Sequence, residues 1–466
     1  MFISFHGAAR TVTGSKRIIQ TKEGVRILLD CGLFQGMGKE TIQLNEHLGF
    51  DPMSIDHVII SHAHIDHIGL LPCLVKQGYK GKVYCTPATA SLAKILLVDS
   101  AHIQETDVSY VNKKRQKEGK ELVRALYNIE EALNVFPLFE PVAYEEHFVI
   151  DKGITLYFTD CGHILGSAAV NLKIIEQGKP VHITFSGDIG RYRDMILRSP
   201  GTFPQAEYII IESTYGDSLH ELLAVATDQL LEHVKETCLA RSGKLIIPAF
   251  SLGRTQEILY MLNRLEQEGR LPHLPYYVDS PLSVKITETM KKYPDYFNAQ
   301  VRQLLTKDED VFDFTGLHYI DNVEESIALN DSENPCVIIS ASGMAEAGRV
   351  KHHIANNISN ANNTILLTGY CEPRSLGGRL KNCKDEVSIF GRKFPVRAKI
   401  AEINSLSAHG DYEDISQWLS CQDPRLVRKL FLVHGEYEVQ QQFRERLLRK
   451  GFKDIEIPEQ HQQYIL

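Results

Sequence analysis

A chain of 466 residues can hold two or three domains that each bury a core. Its 43% apolar and 24% charged residues exclude a disordered tail protein, a collagenous chain and a simple coiled coil, and no apolar run approaches the ~20 residues that span a bilayer. The formal net charge of -8 argues against a uniform coat of nucleic acid while leaving room for a local basic groove.

The start, Met1-Phe-Ile-Ser-Phe-His-Gly7, lacks the basic opening and apolar stretch of a signal peptide, so a cytoplasmic protein is expected. Nine cysteines, an odd number with no C-x-x-C pair, argue against a disulfide framework and a cysteine-rich zinc ribbon. Short β-branched runs bounded by Gly, Pro, Asp or Asn then predict strands at 26–30, 57–61, 82–86, 154–159, 168–175, 182–186 and 208–212. A helix is predicted over 88–104. The lysine-rich stretch 112–119 reads as a solvated loop or frayed helix end without function. From about Ser218 a second α/β unit follows: helix 219–240, strand 244–248, helix 253–268, and strands 275–279, 336–340 and 364–368. Such alternation implies a mostly parallel sheet with helices on its faces. After about Arg397 come strand 398–403, helix 413–419 and strand 430–433, with no linker, so the second unit reads as an insertion.

Chemistry concentrates in Ser61-His62-Ala63-His64-Ile65-Asp66-His67. Three imidazoles and a carboxylate directly after a buried strand form a donor set for first-row metals. In an extended loop His62 and His64 point the same way and can reach one ion, while Asp66 and His67 fall around the corner and can serve a second. Zinc suits this mixture of nitrogen and oxygen donors. The alternative is a histidine-rich surface loop. Two ions need further ligands, and His163, Asp188 and His434 each sit just past a strand end beside glycine, which lets backbone approach a crowded centre. Asp188 is the natural bridge between two ions.

The H-x-H-x-D-H loop, with Asp30, His163 and Asp188 in order, resembles the metallo-β-lactamase superfamily. Glu212 in Ile-Glu-Ser-Thr-Tyr-Gly216, His409 in Ser-Ala-His-Gly-Asp411 and His434 in Val-His-Gly-Glu436 resemble the three extra motifs of the β-CASP nucleases. Segments 248–257 and 279–282 are also similar to that group. The likeness is nearest to the prokaryotic relatives of the endonuclease subunit of the cleavage and polyadenylation specificity factor, in a bacterial short form without KH domains. It implies an α/β architecture: a metallo-β-lactamase αββα sandwich over 1–216 and 397–466, with an inserted β-CASP domain of mostly parallel sheet over 217–396. It also implies two zinc ions per chain, one held by His62, His64 and His163 and the other by Asp66, His67 and His434, with Asp188 shared. Asp30 would orient a ligand histidine. A histidine at 434 favours RNA over DNA. The chain departs from the family at Gly410, where alanine is common, and at Cys371, Pro373 and Arg374.

The resemblance further implies a ribonuclease acting on single-stranded RNA threaded under the inserted unit. A hydroxide between the ions would attack phosphorus in line. Asp66 would count with the catalytic residues, His409 would protonate the leaving oxygen, and Glu212 would hold its tautomer and raise its pKa. Products would carry 5′-phosphate and 3′-hydroxyl ends. Read alone, Glu212 is equally a strand-end carboxylate in a salt bridge. Ser340, Ser342 and Gly343 form either an anion nest or an ordinary small-residue turn. Arg254, Arg374 and Arg379 are further substrate contacts to expect. Between Arg374 and Lys399 eight basic residues stand against two acidic ones, which reads as an RNA track or a solvated strand edge. No membrane partner is expected, and a homodimer is allowed. Two other readings stand beside this one: a small-molecule hydrolase of the same superfamily, and a catalytically silent RNA-binding scaffold.

Overall fold

The computed structural model describes residues 1–38, 40–221, 223–369, 371, 373–382 and 385–466. The chain divides into two compact units, one of residues 1–192, 199–219 and 409–466, the other of 193–198 and 220–408. No helix among the described residues is long and apolar enough to cross a membrane.

The first unit contains two seven-stranded sheets. One runs Gln463–Ile465, Phe2–Gly7, Lys16–Gln20, Arg26–Leu29, His57–Ile59, Val83–Cys85, Phe139–Pro141. The other runs Ile455–Glu456, Lys429–Val433, Tyr208–Glu212, Lys179–Phe185, Ala168–Glu176, Ile154–Asp160, His147–Asp151. Strand periodicity explains the continuous apolar runs. Tyr208, Ile210, Phe431 and Val433 join Ile27, Leu29 and Ile59 in one core. Their neighbours Ile209, Ile211, Leu430 and Leu432 pack with Ile415, Trp418, Phe443 and Leu447 in another, with helices Tyr412–Trp418 and Tyr437–Arg449. Successive side chains point to opposite faces, so a strand covered on both faces must be apolar throughout. Each fully buried Ile or Leu contributes about 1.5–3 kcal/mol.

Strand direction then gathers the chemistry. Tyr208–Glu212 is parallel to both Lys179–Phe185 and Lys429–Val433. Ile154–Asp160 runs the same way, since it and Lys179–Phe185 are both antiparallel to Ala168–Glu176. Arg26–Leu29 and His57–Ile59 are likewise parallel. The C-terminal ends of these strands carry Asp30, the 61–67 loop, His163, Asp188, Glu212 and His434.

The second unit holds a six-stranded sheet in the order Leu317–Tyr319, Tyr276–Val278, Cys336–Ser340, Lys244–Pro248, Thr364–Leu367, Lys399–Glu402. Every pairing in it is parallel. The boundary expected at 396/397 is displaced, because Lys399–Glu402 pairs with Thr364–Leu367 and keeps the chain in this unit to Ala408. The segment 193–198 also belongs here: Leu197 bridges to Phe297, and Asn298 donates its backbone N–H to the Ile196 carbonyl at 2.8 Å. The helix expected to stop at 104 runs as Pro87–Lys117, started by a Thr86 side-chain cap. Nothing in 112–117 breaks a helix, so the charged residues ride on it.

Candidate active site

Two carboxylates organise the imidazoles. Asp30, at φ 58, accepts the Ser61 backbone N–H through Oδ1 at 2.8 Å. Its Oδ2 takes His67 Nδ1 at 2.6 Å and the Ser61 hydroxyl at 2.9 Å. Ser61 Oγ in turn lies 3.0 Å from His62 Nδ1. Asp30 therefore sets His67 directly and His62 through a hydroxyl. Glu212, which is fully buried, repeats the device. It receives His409 Nδ1 at 3.1 and 3.2 Å and the Thr214 hydroxyl at 2.6 Å, and Thr214 Oγ1 is 3.0 Å from His434 Nδ1. In each pair the hydroxyl accepts an Nδ1–H and donates to the carboxylate, which leaves Nε2 of His62, His67 and His434 with a free lone pair.

Those lone pairs converge. His62 Nε2 and His64 Nδ1 are 3.1 Å apart, and His64 Nδ1 and His163 Nε2 are 3.2 Å apart. Asp188 Oδ2 lies 3.4 Å from His62 Nε2 and 3.7 Å from His163 Nε2. Beside this set, His67 Nε2 faces His434 Nε2 at 3.4 Å, and Asp66 Oδ2 lies 3.4 Å from His434 Nε2 and 3.8 Å from His67 Nε2. Asp188 Oδ2 is also 3.4 Å from His67 Nε2, so one oxygen belongs to both sets. Donors held 2.0–2.1 Å from a tetrahedral ion stand about 3.4 Å from one another, which is this spacing.

Electrostatics point the same way. Burial, with His67 beside it, holds His62 well below the ordinary imidazole range, and burial takes His64 to about 4. At His67 burial is instead overcome by Asp188, Asp30 and Asp66, which hold it well above that range. Nitrogen donors and carboxylates this close suit a cation among them. Asp188 is 2% exposed; burial opposes its charge, but His434, His67 and His62 hold its pKa well below the usual carboxylate value. Its Oδ1 has no hydrogen-bond partner among the described residues. The residues fit metal binding, and Asp188 Oδ2 is common to both donor sets.

His409 stands against this pocket. Its ring centroid is 4.5 Å from that of His163 and 5.6 Å from that of His434, stacked on the latter. Burial lowers its pKa, but Glu212 outweighs burial and raises it to about 9. Gly410 has a local reason: a Cβ there would lie 2.8 Å from Asp414 Cβ and 2.9 Å from the Gly190 carbonyl. Sequence reasoning assigned no role to Ser61 or Thr214. The only signal was a hydroxyl beside a site residue at a strand end, which ordinary turns share.

The expected substrate contacts lie in the second unit, and several are already occupied. Arg254 is 7% exposed, and its guanidinium is held by Glu257 and the Leu406 carbonyl, so it is a structural cation and not a free phosphate ligand. Ser340 is buried and donates to the Asp279 carbonyl at 2.8 Å, which removes it from an anion nest. Ser342 Oγ lies 3.4 Å from both the backbone N–H and carbonyl of Ala347, closing the turn, and a Cβ on Gly343 would strike the Phe250 ring. Arg379 donates to the Ser388 carbonyl at 2.9 Å and lies 3.7 Å from Glu346; Arg374 is exposed. The positive bias over 374–399 is partly offset by carboxylates outside the segment, in the pairs Lys381–Glu402 at 2.7 Å and Lys399–Glu236 at 2.6 Å, and Lys393 pairs with Glu386 inside it at 3.3 Å. Tyr370, Glu372, Cys383 and Lys384 lie outside the described residues.

Comparison with known proteins agrees with this architecture. Residues 18–212 match the metallo-beta-lactamase superfamily domain, 255–380 the Beta-Casp domain, and 393–458 the Zn-dependent metallo-hydrolase RNA specificity domain. The chain is 34% identical to ribonuclease TTHA0252 of Thermus thermophilus, over 93% of this chain and 92% of that one. The chain belongs to the β-CASP metallo-β-lactamase family. It is thus a metal-dependent hydrolase. An RNase J-like protein of Methanocaldococcus jannaschii is 33% identical over 94% of this chain and 93% of its own length. Transcription termination factor FttA of Methanosarcina mazei is 31% identical over 92% of this chain and 66% of its own. Within this β-CASP chain the donor sets, the His409–Glu212 pair and the Asp30 anchor all lie in the first unit.

Proposed function

We propose that the protein hydrolyses phosphodiester bonds of single-stranded RNA with two zinc ions, leaving 5′-phosphate and 3′-hydroxyl ends. The observation that carries this reading is the convergence of seven donors from four segments on two adjoining sets, with the Glu212-bound imidazole of His409 beside them. His62, His64 and His163 would hold one ion, Asp66, His67 and His434 the other, and Asp188 both. When bound, such ions supply a nucleophilic hydroxide at neutral pH and neutralise charge on the phosphoryl oxygens.

The chain's own residues supply the rest. His409 Nδ1 is tied to Glu212, so Nε2 is the nitrogen left to deliver a proton to the leaving sugar oxygen. Glu212 keeps that imidazole charged near neutral pH. Asp30 and Ser61 lock the rotation of His67 and His62. Similarity to the Thermus thermophilus ribonuclease over nearly the full chain supports RNA as substrate. A complete donor set argues against a silent scaffold, which has no need of one.

The test is to incubate end-labelled single-stranded RNA and its DNA counterpart with the zinc-loaded protein and map the product ends. RNA cut in preference to DNA, with 5′-phosphate ends, is expected. Faster cleavage of DNA, or turnover of small esters alone, would overturn the reading.

A further inference from the structure

A groove of about 610 Å³ lies between helices Tyr412–Trp418 and Tyr437–Arg449 of the first unit. Arg446, Arg449 and Lys450 line it against a single carboxylate, Glu413. The Arg446 guanidinium sits 3.8 Å over the Tyr412 ring. None of the three cations has a carboxylate within salt-bridge distance among the described residues, whereas the lysines at 381, 393 and 399 are all paired. Ser416, 8% exposed on the groove wall, has a hydroxyl with no hydrogen-bond partner among the described residues.

We infer that this groove is a second binding site for the sugar-phosphate backbone of single-stranded RNA, outside the metal centre. Cations in a last helical turn do offset the macrodipole, but that role requires neither a groove, nor a stacked ring, nor an unpartnered hydroxyl. Guanidinium stacked on a tyrosine face keeps its N–H edge for phosphate, and Tyr412 itself is half-buried against the core, which fixes the stack in place. In a chain of net charge -8 a cluster of three cations without carboxylate partners is a local departure that attracts a polyanion. Position favours RNA over an acidic protein segment. Both helices begin three residues after a site histidine, His409 and His434. At 1.5 Å per residue, Arg446 and Arg449 lie roughly 15–20 Å along the second helix from its start. At about 3.4 Å or more per nucleotide, a strand leaving the centre covers that span in about five nucleotides.

The inference rests on RNA being the substrate, and the experiment separates the two. Wild type and the triple variant Arg446→Gln/Arg449→Gln/Lys450→Gln are zinc-loaded, and cleavage of single-stranded RNAs of about 30 and about four nucleotides is compared. Binding of the longer RNA is followed in parallel by fluorescence anisotropy across a salt series. The triple variant should raise KM for the long RNA about tenfold with kcat unchanged and leave the short one unaffected. It should also lower the slope of log affinity against log salt by about 2, at about 0.7 per phosphate. The charge-keeping variant Arg449→Lys should behave as wild type. Unchanged KM and salt slope on the long RNA overturn the groove. Equal loss on both RNAs also overturns it, since that reports damage to the centre. Failure of the wild type to cleave either RNA defeats the functional reading, and the anisotropy series still decides the groove. Loss of binding to a polyglutamate peptide with RNA binding intact would assign the groove to a protein partner instead.

Discussion

Thr214→Val isolates the link between the acid dyad and a metal ligand. The threonine hydroxyl donates to Glu212 Oε2 at 2.6 Å and accepts from His434 Nδ1 at 3.0 Å. Valine keeps the shape and deletes both bonds. A buried imidazole N–H left without an acceptor costs about 1–3 kcal/mol, and the charge falls on the state in which His434 Nε2 points at the ion. At about 1.4 kcal/mol per decade, affinity for the ion held by Asp66, His67 and His434 should drop about 10–100-fold, the range for partners behind a ligand. The other ion, anchored through Asp30 and Ser61, should bind as before. Competition with a chromophoric chelator on metal-free protein reads both affinities without an activity assay. Thr214→Ser, which retains the hydroxyl, should restore the weakened site. Wild-type affinity at both sites in the valine variant would refute the relay, and failure of serine to rescue would show that shape matters and not the hydroxyl.

His409→Ala should cut kcat by about 10²–10⁴-fold while zinc content, measured by elemental analysis, stays intact. The imidazole pKa is raised, so the acid is present below about 9 and lost above it. In metal-free protein NMR should find the His409 titration near that value, and in the loaded enzyme, where cations oppose its charge, kcat/KM should begin to fall at a lower pH; a limb unchanged in His409→Ala would remove it as the donor. Gly32→Ala places a Cβ 1.6 Å from the Asp66 carbonyl, so a loss of about 3 kcal/mol is expected in urea unfolding, and wild-type stability would contradict the packing. In the second unit, Asp279 accepts from His353 at 2.6 Å, Arg349 at 2.6 Å and Ser326 at 2.5 Å with no exposed surface. Asp279→Asn should cost about 3–5 kcal/mol by leaving the Arg349 guanidinium without its counter-charge, and an unchanged denaturation midpoint would argue against the network. Chelation should lower Tm by the equivalent of about 2.7 kcal/mol for ions present at 100 times their Kd, and zinc should restore it.

Local chemistry made the donor loop legible before any coordinates. Three histidines and an aspartate after a buried run can be read in one dimension, because their spacing alone brings them within reach of common ions. Strands such as Tyr208–Glu212 and Cys336–Ser340 were equally plain, since burial on both faces demands uninterrupted apolar residues. The longer helix and the late domain boundary were not, as both turn on what a segment packs against: 112–117 continues a helix, and Lys399–Glu402 pairs with a strand more than thirty residues earlier.

Residue types and their spacing determined the metal chemistry and the layered α/β design. Only the folded chain decided which positive charges are free. Arg254, Lys381 and Lys399 look like phosphate ligands in the sequence, yet a carbonyl and carboxylates brought to them by the fold occupy them, while Arg446, Arg449 and Lys450 have no carboxylate partner among the described residues. The same holds for Ser61 and Thr214, ordinary hydroxyls until the fold sets them between a carboxylate and an imidazole. Partnership is a matter of distance in space, and distance in space is what a linear order of residues does not carry.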